Sequence, residues 1–257
     1  MNTTTPDLDG RFADRTGIVT GGANGIGREI VEHLAAGGAT VVVADVEDGP
    51  EFGNELDDRV HPVETDVTDE AAVADLATMA VEEFGSIDVL VNNAAVYSPL
   101  VTERDRGFDE IPVEEWRSVI DVNLTGVYIC CREIAPRIAE TGGGSVVNIA
   151  SAVAFFGATG YPHYVASKGA IVPLTRSLAR ELGGEGVRVN AIAPGLILSE
   201  ASQQLSEEYI GSVVDLQCID RPGRPEDVVD TVDFLASEQS SFITGSTLHV
   251  DGGQTLR

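Results

Sequence analysis

The chain has little positive charge. Of its 257 residues 16 are basic against 42 acidic, a formal net charge of −26, and the single lysine among the 16 is Lys168. Proteins that hold nucleic acid or an anionic membrane need clustered Lys and Arg to displace counterions from phosphates. No such cluster occurs, so neither partner is expected. Cysteine is scarce too: Cys130, Cys131 and Cys218 are too few and wrongly spaced for a disulfide framework or a four-ligand zinc site. The histidines, His33, His61, His163 and His249, are scattered without ligand spacing, and no metal is expected. No window approaches the roughly 18 consecutive apolar residues of a membrane span. Residues 1–15 hold no apolar stretch that could serve as a signal-peptide core. Together these absences point to a cytoplasmic protein.

What the chain does hold is a core. Hydrophobic residues make up 43% and the mean hydropathy is +0.05, the composition of a packed globule rather than a disordered acidic tail. The excess acid must then lie on the surface. An acidic surface nearly free of lysine suits a halophile's cytosol of multimolar salt, where the Debye length is roughly 3 Å or less. An ordinary acidic protein shares the charge, and folding in dilute buffer separates the two.

The length fits one domain, residues 1–257, and no repeat or Pro/Ser-rich linker marks a boundary. Seven short apolar runs recur, at 17–20, 39–44, 60–63, 87–91, 145–149, 187–192 and 247–250. Helical spacing fills the intervals: Ile26, Ile30, Val31 and Leu34 before Gly37; Val73, Leu76, Ala77, Ala80 and Phe84 before Gly85; Ile171, Leu174, Leu178 and Leu182 before Gly183. Near-continuous apolar strands alternating with helices predict an α/β fold, a Rossmann-type doubly wound domain with a seven-stranded parallel sheet covered on both faces. Ligands of such sheets bind outside the carboxyl ends of the strands. The irregular stretches 96–112 and 198–217, each following a strand, are therefore candidate pocket walls.

The first strand runs into Thr20-Gly21-Gly22-Ala23-Asn24-Gly25-Ile26-Gly27 and then a helix. Glycines there permit a tight turn and close backbone approach, and the helix start offers free N–H groups to a pyrophosphate. Asp45 ends the second strand, where a carboxylate can accept from the ribose hydroxyls of an adenosine and would repel a 2′-phosphate. No Lys or Arg stands at Ala23, Asn24 or Val46 to attract one. The dinucleotide expected is NAD.

Here the sequence resembles the short-chain dehydrogenase/reductase family over essentially its whole length. The resemblance implies that Asn24, Gly25, Ile26 and Gly27 hold the pyrophosphate and that Asp66 and Val67 meet the adenine. Asn92-Asn93-Ala94-Ala95 is similar to the family's N-N-A-G, with Ala95 adding a methyl where glycine is usual; Asn93 is carried over as a cofactor residue. Pro194-Gly195-Leu196-Ile197-Leu198-Ser199 resembles the segment that holds the nicotinamide carboxamide, with Pro194, Gly195, Ile197 and the Ser199 hydroxyl as its contacts. Ser151, 13 residues before Tyr164, matches the serine that orients the substrate oxygen. Asn123 matches the asparagine that holds a water linking the lysine to solvent. The family is usually tetrameric or dimeric, and Phe242-Ile243-Thr244-Gly245 with Asp251-Gly252-Gly253 resembles its interface; the resemblance implies a homotetramer.

Tyr164 and Lys168 lie four apart on a predicted helix, hence on one face. An ammonium beside a phenol lowers the phenol's pKa from about 10 toward neutrality and makes it a general base for an alcohol proton. Lys168 would also reach the nicotinamide ribose. The expected activity is hydride transfer between NAD and a small secondary alcohol or ketone, such as a sugar, polyol or ring hydroxyl. Two alternatives stay open: reduction of a 3-oxoacyl thioester, and a binding protein that senses NAD on the same scaffold. His163, Phe155, Phe156 and Tyr161 either touch substrate or pack the core. Thr102 to Gly107 is either a gate or a solvated loop, and Leu205, Tyr209, Val213 and Leu216 present an apolar stripe to the ligand, the core or a neighbouring subunit.

Overall fold

All seven predicted runs form strands, with ends moved by at most two residues: β1 (Thr16–Thr20), β2 (Thr40–Asp45), β3 (Val60–Glu64), β4 (Val89–Asn92), β5 (Gly144–Ile149), β6 (Val187–Pro194) and β7 (Thr247–Val250). The computed structural model describes residues 10–47, 58–96, 106–199, 202 and 205–256. Residues 97–105 of the expected pocket wall 96–112, which include most of the gate or loop Thr102–Gly107, and four residues of the 198–217 stretch lie outside them. Every strand pairs in parallel in the order β3-β2-β1-β4-β5-β6-β7. The order reverses between β1 and β4, whose last residues Thr20 and Asn92 are partners across the ladder, and such a switch point opens a crevice at the strand ends.

The strands read as unbroken apolar runs because both faces are covered. Ile18, Val42 and Leu90 pack against α2 (Glu70–Phe84), α4 (Val127–Glu140) and α6 (Pro162–Leu182). Their neighbours Val19, Val41, Val43 and Val91 face the opposite layer, α1 (Gly25–Ala36) and α8 (Pro225–Ala236). Between these lie α3 (Val113–Ile120), the one-turn α5 (Val153–Phe156) and α7 (Glu207–Val214). In α6 the buried residues Tyr164, Ser167, Lys168, Ile171, Val172, Thr175 and Ala179 recur at three and four, so the predicted pair shares the inward face. The Phe12 ring is buried under α1 and α8, and its neighbour Arg11 pairs with Asp233, which also meets His33 Nε2 at 3.1 Å. Asp233 and Asp251 are the only buried carboxylates among the described residues, and the remaining described acids lie toward the surface.

Candidate active site

A cavity of about 1020 Å³ opens at the carboxyl ends of the strands, the upper end of the size range of ligand sites. Every residue expected at the site lines it except Asn123. At one end is the glycine loop. Gly27 stands so close to the loop that a Cβ there would lie 2.0 Å from the Gly21 carbonyl oxygen. Gly25 adopts φ +54°, and a Cβ on it would meet nothing within 4 Å, which leaves the backbone open toward the cavity. Asn93 fixes this loop to β4: its Nδ2 donates to the carbonyls of Thr20 and Gly21 at 3.1 and 2.8 Å.

The N-terminus of α1 is prepared for an anion. Helices α2, α3, α7 and α8 all carry acids in their first turn, and α2 and α7 have a capping side chain. Like α4, α5 and α6, α1 has neither, and its start at Gly25–Gly27 follows the glycine loop and lines the cavity, so its leading N–H groups and the positive end of its dipole face a ligand there. At the far end of this groove Asp45 Oδ2 accepts from the Ala23 amide at 2.9 Å, and Glu47 accepts from Asn24 Nδ2 at 2.8 Å. Two carboxylates therefore line the adenosine end. Glu47 was not legible as a site residue, although its spacing from Asp45, two residues along the same chain exit, was available. Asp66, beside Val67, is turned by bonds from the Thr68 amide and hydroxyl. These features fit a dinucleotide: a close-packed glycine turn, uncapped amides and acids in reach of ribose hydroxyls.

At the other end stand Tyr164, Lys168 and Ser151. Lys168 Nζ is buried, donates to the Ile149 carbonyl at 2.8 Å and lies 6.0 Å from the Tyr164 ring centroid. Burial lowers its pKa from 10.5 to about 8, because a low-dielectric interior disfavours the ammonium. Ser151, on the turn from β5 to α5, and Ser199, after β6, both face the cavity. Pro194, Gly195 and Ile197 form the floor between them, and Gly195 packs against the backbone of Asp251. The extra methyl of Ala95 lines the cavity without burial.

Asn123 sits apart. It lies in a π-type turn, Asp121–Gly126, that joins α3 to α4, and it is fully buried. Its Oδ1 accepts from the Val96 amide at 2.7 Å, while its Nδ2 donates to the Val96 carbonyl and to Ser167 Oγ, each at 3.3 Å. Ser167 in turn donates to the Tyr164 carbonyl at 2.8 Å. The Asn123 side chain thus ties the β4 exit to the helix of Tyr164.

Among the undecided residues, Phe156, Tyr161, Tyr209, Val213 and Leu216 line the cavity. Phe155 packs on the His249 ring, with centroids 4.3 Å apart. His163 does not reach the cavity: it is buried, with Nε2 2.9 Å from Glu115, whose carboxylate Arg106 also holds. Arg106 and then His163 keep that carboxyl below its usual range. Gln254, near the C-terminus, lines the cavity and was not foreseen. Among the described residues no group of three His, Cys, Asp or Glu could hold a metal, and no helix is long and apolar enough to cross a membrane.

Residues 21–255 match the family described as enoyl-(acyl carrier protein) reductase. A cis-4-hydroxycyclohexanecarboxylate dehydrogenase of Sinomonas cyclohexanicum is 40% identical over 248 residues, covering 95% of this chain and 98% of the relative. A 3-oxoacyl-(acyl-carrier-protein) reductase of Thermotoga maritima is 35% identical, covering 96% of this chain and all of the relative. One from Staphylococcus aureus is 36% identical, covering 94% and 98%. The Rossmann-type sheet and these full-length likenesses agree: the chain belongs to the short-chain dehydrogenase/reductase family of oxidoreductases, which use a nicotinamide cofactor.

Proposed function

We propose that this single domain, residues 1–257, is an NAD-dependent dehydrogenase of a secondary alcohol, with Ser151, Tyr164, Lys168 and Asn123 as its working residues. The observation that carries it is the placement of the chain's one lysine, buried behind Tyr164 in the cavity that the glycine loop closes at its other end. The carboxylates of Asp45 and Glu47 favour NAD over its 2′-phosphorylated form by repulsion. When bound, NAD supplies the hydride acceptor. Ser151 orients the alcohol oxygen toward Tyr164, and Tyr164 takes the hydroxyl proton. Lys168, whose own proton is loosely held for a lysine, stabilises the phenolate and hands protons on. Asn123 acts by position, holding Val96 against the helix that carries Tyr164.

The dehydrogenase at 40% identity acts on a ring alcohol, by its name, and supports oxidation of that substrate class. The thioester reductases at 35 and 36% support the rival, reduction of a 3-oxoacyl thioester. That rival needs cations for a phosphopantetheine or an acidic carrier, and the −26 surface offers little. The proposal includes a halophile's cytoplasm as the setting and a homotetramer as the assembly, the latter supported by the fully exposed Phe242 ring next to β7; light scattering in high salt measures the mass. The deciding experiment is NAD reduction over a panel of secondary alcohols, sugars and hydroxy acids in multimolar salt, with Tyr164→Phe as control. Turnover that vanishes in the variant while NAD still binds is the expected result. Tight NAD binding with no turnover on any member would favour a sensor instead.

A further inference from the structure

We infer that the alcohol oxidised here is an uncharged alicyclic one, gripped by an apolar wall and read at its far end by the Gln254 amide. The inference rests on the dehydrogenase reading above and concerns only what surrounds the reacting carbon.

Beyond Tyr164 the wall is apolar from two sides. Val96, Val153 and Ala158 pack with Tyr161 around the Tyr164 ring, and the rings of Tyr161 and Tyr164 meet edge-on with centroids 5.9 Å apart. Facing them, α7 buries none of its residues in the core; Val213 on that helix, and Leu216 just after it, line the cavity instead. Lys168 is the only cation among the described lining residues, and it is committed to the Ile149 carbonyl below Tyr164. Among the described lining residues no second cation would meet a substrate carboxylate, and a sugar would bring more hydroxyls than this mainly apolar wall pairs. An aliphatic ring loses nothing and gains apolar burial.

Polar groups join this mainly apolar wall at three places, Tyr209 and Ser212 on α7 and the Gln254 amide, which the chain end holds. Both Asp251 carboxylate oxygens accept backbone amides, from Gly253 and Thr255, each at 2.9 Å. The Gly252 carbonyl accepts from the amides of Cys218 and Ile219 at 2.8 and 3.0 Å, which fastens the turn to the chain just beyond Leu216. This turn, in which the Gln254 backbone amide donates to the Asp251 carbonyl at 3.2 Å, brings the Gln254 side chain to the cavity. A neutral amide both donates and accepts, so it suits a neutral carbonyl, ester or hydroxyl across the ring from the reacting carbon. In the reaction that carbon gives its hydride to NAD, its oxygen gives a proton to Tyr164, and a ketone leaves.

The test is a set of kcat/KM values with NAD for cyclohexanol, 4-hydroxycyclohexanecarboxylate, its methyl ester and myo-inositol, measured in multimolar salt. At such salt the Debye length is about 3 Å, so the −26 surface does not bias the comparison of acid with ester. The ester is expected to exceed the acid by about tenfold or more and inositol to be poorest. Gln254→Leu should lower the ester's value about three- to tenfold, the worth of one neutral hydrogen bond, while cyclohexanol and the KM for NAD stay unchanged. Leu216 is 66% exposed, so Leu216→Arg should fold, and it is expected to raise the acid-to-ester ratio about tenfold. Turnover in which the acid or inositol matches the ester overturns this inference and leaves the dehydrogenase standing. So does a Gln254→Leu effect shared equally by cyclohexanol, or a Leu216→Arg ratio that does not move. No turnover with any of the four, while another member of the wider panel is oxidised, overturns this inference alone; silence across the whole panel overturns both.

Discussion

Replacing Lys168 by Met should make the cofactor-free protein more stable at neutral pH while ending its activity. The folded chain holds the ammonium in an interior that lowers its pKa from 10.5 to about 8, a penalty of about 3 kcal/mol at roughly 1.36 kcal/mol per pH unit. The sign follows from proton counting. Between pH 8 and 10.5 the unfolded chain binds a proton at this lysine that the folded chain does not, so wild-type stability rises with pH through that window. Below pH 8 the full penalty applies, and above 10.5 it is gone. Methionine fills a similar volume without charge but loses the bond from Nζ to the Ile149 carbonyl, which costs about 1 kcal/mol at every pH. The variant should therefore be about 2 kcal/mol more stable than wild type at pH 7 and about 1 kcal/mol less stable above pH 10.5. At about 2–4 °C per kcal/mol for a chain of this size, its Tm at pH 7 rises by about 4–8 °C. Thermal and denaturant unfolding of both proteins at pH 7, 9 and 10.5, in high salt, measure the difference. A stability gap that stays flat across those pH values would refute the claim that an uncompensated ammonium is buried beside Tyr164.

Exchanging both acids at the adenosine end, Asp45→Ser with Glu47→Ser, should raise the ratio of kcat/KM for NADP over NAD by about tenfold or more, since one removed charge contact is worth about 1 kcal/mol even when solvated; an unmoved ratio in initial-rate kinetics would show that neither carboxylate meets the ribose. Gly27→Ala drives a methyl into the Gly21 carbonyl, so it should cost about 1–3 kcal/mol and weaken NAD binding, read by calorimetry; a variant with wild-type affinity would mean that the loop reshapes freely. Transfer to dilute buffer should unfold the protein through repulsion among its 42 acids, seen as lost ellipticity that multimolar KCl restores; full ellipticity in dilute buffer would reduce the acidic surface to an ordinary one.

The sheet was legible because its strands are buried on both faces, so Ile18 and Val19, or Val42 and Val43, are all apolar although they point to opposite layers. The glycine loop and the Tyr164–Lys168 spacing were legible for a related reason, since local geometry alone requires them. What escaped depends on contacts distant in sequence. The side-chain partners of Asn123, Val96 and Ser167, are 27 and 44 residues away, and the π-type turn that aims it has no spacing signature. For His163 the structural role was open beside substrate contact, and only its partner Glu115, 48 residues earlier, decides for it. The stripe Tyr209, Val213, Leu216 could be read as apolar, but periodicity says that a helix has an apolar edge, not what that edge covers. Gln254 lies beyond the last motif, and only the turn built by Asp251 turns it inward.

The unequal use of arginine and lysine now has one explanation across the molecule. Arginine is employed where a permanent fork-shaped cation must bridge carboxylates or carbonyls. Arg221 takes both oxygens of Asp227 at 2.7 Å, Arg132 joins Glu70 to Glu133, and Arg188 closes the end of α8 through the carbonyls of Leu235 and Ser237. Each of these contacts is served by a charge that never leaves. At Lys168 the requirement is opposite. A guanidinium keeps its proton up to about pH 12 and beyond, so in that interior it would carry the whole desolvation cost and could pass no proton onward. A lysine in the same interior sits near pH 8, close enough to neutrality to give up a proton and take one back. In a chain with fifteen arginines, the proposed mechanism gives lysine the one position where a basic group must be able to lose its charge.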